Sequence, residues 1–169
     1  MGNFPSKRLA LVSYGSDYAE VWGARARDNF DAWGEDVFGL QVSKSQRARG
    51  DWELAEQRGG LFATGIDGSI TGRPVDGLII DDPIKNAVQA FSTATREKAK
   101  DFWLSVSKTR LAADAWWIVL QTRWHEDDLA GWLMRREKDV VVLNLPAIAF
   151  DPKALPERER EVYRGDPLG

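Results

Sequence analysis

Four short apolar runs constrain this chain more than any other feature of its sequence. Leu9-Ala10-Leu11-Val12 ends in Ser13-Tyr14-Gly15, and Gly77-Leu78-Ile79-Ile80 ends in Asp81-Asp82-Pro83. Trp116-Trp117-Ile118-Val119-Leu120 ends in Gln121-Thr122-Arg123, and Val140-Val141-Val142-Leu143 follows. Runs that are continuous rather than alternating suit strands covered on both faces, which is the condition of an interior parallel sheet. Helical spacing fills the intervals. Asp17 can cap a helix to about Phe30, with Tyr18, Val21, Trp22 and Arg25 in phase. Ser92 or Thr93 opens a long helix to about Leu111, with Phe102, Val106 and Leu111 as core candidates. Glu126, Asp127 and Asp128 begin another, their carboxylates complementing the positive end of the helix dipole. Val37 to Val42 is a weaker strand candidate, and Gly59 to Gly65 reads as a short strand bracketed by glycines. The alternation predicts an α/β fold, a mostly parallel sheet with helices on both faces.

The chain has 169 residues, enough for one domain, and a chain of this size buries roughly 70% of its unfolded surface. Residues 1–150 carry the patterned segments, while 151–169 is charged and proline-punctuated, a peripheral tail by expectation. Twenty-three basic and 26 acidic residues give a net charge of −3. That balance disfavours a stand-alone DNA binder, because DNA affinity comes largely from neutralising phosphates. The absence of cysteine excludes disulfides and thiolate metal sites. No apolar run approaches the ~20 residues of a membrane span, and Met1–Arg8 is not followed by a secretory core. The expectation is a soluble, intracellular protein without a membrane partner.

Three segments can carry chemistry. Asp81 and Asp82 stand at the carboxyl end of a buried strand, where ligands of open α/β sheets gather. Paired acids there can hold a hydrated Mg²⁺ and orient a water, the acidic half of a nucleotide-hydrolysing site. The same residues also read as a strand closed by an Asp-Pro turn. Thr122, at another strand tip, can sense a phosphate, or it can simply precede a helix with an acidic first turn. His125-Glu126 does not extend to HExxH, since Leu129 stands where a second histidine is needed. The glycine-rich loop from Gly65 to Pro74 presents Arg73, either solvated or offered to a phosphate on a neighbouring subunit. Finally, Lys44, Arg47, Arg49 and Arg58, with Trp52 among them, form a basic stretch suited to nucleic-acid backbone contact and stacking, or to plain solvation.

Taken in order, Ala10–Tyr14, Gly68-Ser69-Ile70-Thr71-Gly72-Arg73, Leu78–Lys85, Gln121-Thr122-Arg123-Trp124-His125-Glu126-Asp127-Asp128-Leu129-Ala130-Gly131 and Leu145-Pro146-Ala147 resemble the large terminase subunit of tailed bacteriophages and their prophages. The likeness runs from about Arg8 to Ala149. It implies a P-loop NTPase-like (ASCE) core that binds Mg²⁺ and ATP and drives double-stranded DNA into a procapsid. It implies as partners a portal protein, a small terminase subunit and further copies in a homo-oligomeric ring, in the cytoplasm of a bacterial host. By resemblance Asp81 is the Mg²⁺-binding Walker B acid and Asp82 takes the place of the water-activating carboxylate, where many relatives carry Glu. Thr122 matches the coupling motif that links the γ-phosphate to movement, and Arg73 matches an arginine offered across the subunit interface. No GxxxxGKS/T occurs in these 169 residues. The family carries that loop, with its strand and helix, upstream of the segment starting near Leu9, and its nuclease domain lies beyond the C-terminal end. The expectation is therefore an ATPase core lacking its Walker A strand and helix, with a gap or free edge beside the Asp81 strand. Such a core would lack ATPase activity alone and would need a separate P-loop-bearing fragment. Two further readings stand beside it: a non-catalytic DNA- or partner-binding module, and a Mg²⁺-dependent nuclease using Asp81, Asp82 and the acids from Glu126 to Asp128.

Overall fold

A computed structural model describes residues 1–144 apart from Ser69, Thr71 and Arg73, with the backbone alone at Ser107 and Lys108. The expected tail 151–169 and the Leu145-Pro146-Ala147 motif lie outside the described residues. Ten elements follow in order: β1 (Arg8–Ser13), α1 (Ser16–Phe38), β2 (Val42–Arg47), β3 (Asp51–Leu54), β4 (Gly60–Gly65), β5 (Val75–Asp81), α2 (Ala87–Ala90), α3 (Thr93–Thr109), β6 (Leu111–Leu120) and α4 (Leu129–Arg136). The strands form one six-stranded sheet in the order β2-β3-β4-β1-β5-β6. β4, β1, β5 and β6 run parallel, while β2 and β3 add an antiparallel edge. The fold is α/β with a mostly parallel mixed sheet, as the alternating pattern predicts.

Each face of the sheet has its own core. On one face Ala10, Val12, Leu78 and Ile80 pack with Phe102, Trp103 and Val106 of α3 and Leu129 and Leu133 of α4. On the other, α1 covers β1, β3 and β4, burying Ala19 with Trp52, Leu54, Leu61 and Ala63. Close approach of α1 depends on Gly23, since a Cβ there would come within 2.8 Å of the Arg49 carbonyl oxygen. The Trp52 indole N–H donates to the Gly23 carbonyl at 3.0 Å, so the largest buried side chain leaves no polar atom unmet.

Several expectations needed correction. The helix expected to stop near Phe30 continues to Phe38, so of the expected strand Val37–Val42 only Val42 is in a strand, as the first residue of β2. Gly39 ends it at φ 66°, a left-handed conformation that favours glycine, with its N–H on the Glu35 carbonyl. The polar, basic stretch after Val42, for which the sequence pattern predicts no element, holds the β2–β3 hairpin, anchored inward by Val42, Trp52 and Leu54. Val140–Leu143 forms no strand among the described residues, and Val141 and Leu143 are exposed. The expected gap beside the Asp81 strand is absent. β5 is paired on both sides, with β1 and β6, and among the described residues the edge strands are β2 and β6. No described helix is long and apolar enough to cross a membrane.

Candidate functional site

Parallel pairing brings three strand ends to one rim. Ser13 is the register partner of Asp81, and Asp81 is the partner of Leu120. Register partners share a face, so these three side chains lie on the α1 side of the sheet. Past the strand ends the chain is tied together at Asp82. Its N–H donates to the Leu120 carbonyl at 2.9 Å, and its carbonyl accepts from the Tyr14 N–H at 3.1 Å. Its Oδ1 accepts from the Thr122 N–H at 3.2 Å. One residue thus fastens the exits of β1, β5 and β6. It does so at φ 41°, in the left-handed region, where an Asp side chain is tolerated better than most but still strained.

Asp81, Asp82 and Thr122 therefore occupy neighbouring strand tips. The contact between the last two runs through the threonine backbone, and the Thr122 side chain is exposed. Burial, followed by the charge of Asp82, pushes the Asp81 carboxyl above its ordinary range. A cation at this rim would remove both penalties. Two further polar groups went unremarked in the sequence: Ser13 Oγ and Gln121 Oε1, both buried without a hydrogen-bond partner. Ser13 is 1% exposed beside Asp81. A buried polar atom left unpaired costs roughly 1–3 kcal/mol, and such groups concentrate where a ligand or ordered water belongs. Both residues end apolar runs, which is the one sequence signal that could have found them.

The TRWHEDDLAG segment packs as a self-bracing loop. Asp127 N–H donates to His125 Nδ1 at 2.9 Å, which makes that nitrogen an acceptor. Asp128 caps α4 by accepting from the Gly131 N–H at 2.9 Å and pairs with Arg123 at 2.9 Å, while 1% exposed. The helix thus begins at Leu129, and the three acids expected in its first turn lie before it, with Asp128 as the cap. Asp127 accepts from Lys100 at 2.7 Å and Arg135 at 2.5 Å, linking α3, the loop and α4. The Lys100 hydrogen bond comes first among the causes that hold the Asp127 carboxyl below its ordinary range. Gly131 has no room for a side chain, because a Cβ would sit 2.0 Å from the Glu126 carbonyl oxygen. Among the described residues no group of three or more His, Asp or Glu side chains gathers as a metal-holding set. Asp127 and Asp128 are instead engaged with cations and backbone, not aimed at the Asp81 rim.

The basic residues do not form one patch. Arg47 and Arg49 flank the β2–β3 turn, toward the same end of the sheet as Asp81. Arg58, at the β3–β4 connection, lies toward the opposite end, where its carbonyl accepts from Arg8. Lys44 is exposed on β2, and Arg47 is paired with Asp31 at 2.8 Å. Trp52 is 1% exposed and a core residue, which removes the aromatic member expected for stacking. Arg73 lies outside the described residues. Of its loop, Ile66 and Ile70 are buried in the α3–α4 core.

The fold and rim define an α/β domain with polar, acid-bearing strand ends on one rim of a mostly parallel sheet. Comparison with models of known protein families, and with curated proteins, finds no match.

Proposed function

We propose that this chain contributes the acidic rim of the ATP site in a DNA-packaging terminase motor, within a P-loop NTPase-like core. The observation carrying the reading is the joining of Asp82 to Thr122 beside Asp81, at the carboxyl ends of adjacent parallel strands. Mg²⁺ is commonly held by one or two carboxylates together with waters and substrate phosphates, so an Asp81–Asp82 pair fits it. Asp81 would hold the hydrated ion, which when bound neutralises charge developing on the phosphates. Asp82 would orient the attacking water, and Thr122, tied to it through the backbone, would pass a change at the phosphate to the loop braced by Asp127. The shorter reach of Asp, compared with the Glu of many relatives, suits a carboxylate that also holds its neighbouring strand. With no GxxxxGKS/T in these residues, the phosphate cradle and its lysine come from another polypeptide segment. Double-stranded DNA, a portal protein, a small terminase subunit and further copies in a ring follow from the same reading, as does the cytoplasm of a bacterial host. So does Arg73 as an arginine acting across a subunit boundary.

The test is reconstitution. The chain alone should turn over negligible ATP, and adding a fragment with the P-loop strand and helix should restore Mg²⁺-dependent hydrolysis that Asp81→Ala abolishes. Tight ATP binding by the chain alone, or restored hydrolysis indifferent to Asp81→Ala, would sink the proposal. A second reading, a DNA- or partner-binding module, draws on the exposed Lys44, Arg47 and Arg49 near the β2–β3 turn. Salt-sensitive DNA binding that survives Asp81→Ala and falls with Arg49→Ala would favour it. Nicking of plasmid DNA with Mg²⁺, abolished by Asp81→Asn, would instead revive the nuclease; the engagement of Asp127 and Asp128 elsewhere speaks against it.

A further inference from the structure

One hydroxyl at the rim has nothing to bond to. Ser13 ends β1 on the α1 side of the sheet, on the same alternation as Leu9 and Leu11, which pack in the α1 core. It is 1% exposed, and among the described residues its Oγ has no hydrogen-bond partner. Water does not reach an atom so placed, so whatever meets it must already stand beside it. Its partners in register are Gly65 on β4 and Asp81 on β5. Gly65 has no side chain, and its N–H donates to the nearby Ser16 Oγ at 3.0 Å. Asp81 is therefore the one register neighbour of Ser13 with a side-chain acceptor. The relation also holds in reverse. The other register partner of Asp81 is Leu120, the last of the half-exposed apolar stripe Trp116, Ile118 and Leu120, which offers no donor.

We propose that Ser13 is a positioning residue for Asp81: its hydroxyl donates to one carboxylate oxygen and leaves the other free for a cation. Adjacent strands lie about 4.8 Å apart, so two side chains in register on one face can meet by turning about their own bonds. No backbone shift is needed, and a serine hydroxyl rotates to suit its acceptor. Carboxylates that hold a metal ion are themselves commonly hydrogen-bonded, and that second bond fixes the direction of the first. The sheet makes the pairing durable. β1 and β5 are interior strands, each paired on two sides, so Ser13 and Asp81 cannot drift apart. The unmet Oγ is one half of a contact that closes when a cation fixes the carboxylate. This role presupposes that Asp81 holds a cation, as the ATP-site proposal has it.

The test uses the full chain with Mn²⁺ alone, a cation that takes oxygen ligands as Mg²⁺ does and whose binding is read by electron paramagnetic resonance. Ser13→Ala should weaken Mn²⁺ binding by roughly tenfold or more, the loss usual when a metal ligand loses its supporting hydrogen bond. Without cation the same variant should melt no lower than wild type, because a buried hydroxyl lacking a partner gives way to a methyl group. Ser13→Thr keeps the hydroxyl and should bind Mn²⁺ close to the wild-type level. If Ser13→Ala binds as tightly as wild type while Asp81→Asn does not, the role of Ser13 is overturned and the cation at Asp81 stands. If wild type binds no Mn²⁺, or Asp81→Asn binds it equally well, both fall together. A Ser13→Ala chain that melts lower than wild type without cation would give the hydroxyl a structural partner and also sink the assignment. So would equal loss of binding in Ser13→Ala and in a Ser13→Thr chain that melts like wild type, which would trace the effect to packing.

Discussion

The two ends of the sheet differ in how completely they satisfy their own chemistry. At the β2–β3–β4 end, α1 lies across the strands, Trp52 is sealed, and its one polar atom is bonded to Gly23. At the β1–β5–β6 end, the backbone is strained at Asp82, a carboxyl is held out of its ordinary range, two buried polar atoms lack partners, and an apolar stripe faces solvent. The first end has a left-handed non-glycine residue as well, Glu56 at φ 58°, so strain by itself does not separate the two. The second carries costs that folding gains nothing from, and such costs are retained where a ligand or partner repays them. What sets the second end apart is its raised carboxyl and its unpaired polar atoms, and these mark it as the end to test for a ligand.

The comparison can be broken by mutation. Trp52→Ala, in the finished end, should give the largest loss, about 3–5 kcal/mol in urea unfolding, because it opens a cavity in a sealed core. A loss under 1 kcal/mol would show that this end is not the rigid one. Asp128→Ala removes the α4 cap and the Arg123 partner and should cost about 1–2 kcal/mol by the same measurement. At Asp82 both substitutions lose the tie to Thr122, so the difference between them isolates the backbone. Asp82→Gly should be the more stable, by about 1 kcal/mol over Asp82→Ala, since glycine enters the left-handed region freely. Equal stabilities would remove strain from the account of this rim.

The smallest and most informative effect concerns Asp81. Its carboxyl is raised in the folded chain, so the fold disfavours the ionised form. That penalty is present above the folded value and fades as pH falls through it toward the unfolded one. Asp81→Asn should therefore raise the melting temperature slightly at neutral pH and lose that advantage in acid. Asp127 runs in the opposite sense, since its lowered carboxyl contributes stability above the unfolded value that is lost as pH falls through the folded one. Millimolar Mg²⁺ should narrow the gap between wild type and Asp81→Asn by stabilising only the former. A wild type that melts at or above Asp81→Asn without Mg²⁺ would mean the rim carries no such penalty.

The parts of the fold read from sequence are those where one local signal suffices. β1, β5 and β6 announce themselves as continuous apolar runs, and Ser92 accepts from the Thr95 N–H at the start of α3, as a helix-opening serine should. The β2–β3 hairpin was hidden because only Val42, Trp52 and Leu54 of a polar stretch turn inward, and Arg and Lys between them mask the pattern. The Val140–Leu143 run carries the same local signal as β1 yet pairs with no strand among the described residues, so a local apolar run does not by itself make a strand. At the rim, Asp81, Asp82 and Thr122 were visible as polar ends of apolar runs; Ser13 and Gln121 are such ends too, but nothing local marks a polar atom as unpaired.

The chain's sequence by itself determined an α/β fold and the acids at the end of β5, because apolar runs and their terminators act over a few residues. Tertiary structure alone decided that Thr122 meets Asp82 across forty positions of sequence, that Trp52 is core, and that β6 rather than β5 stands at an edge among the described residues. Those outcomes depend on strand order and register, which arise from packing whole elements against one another.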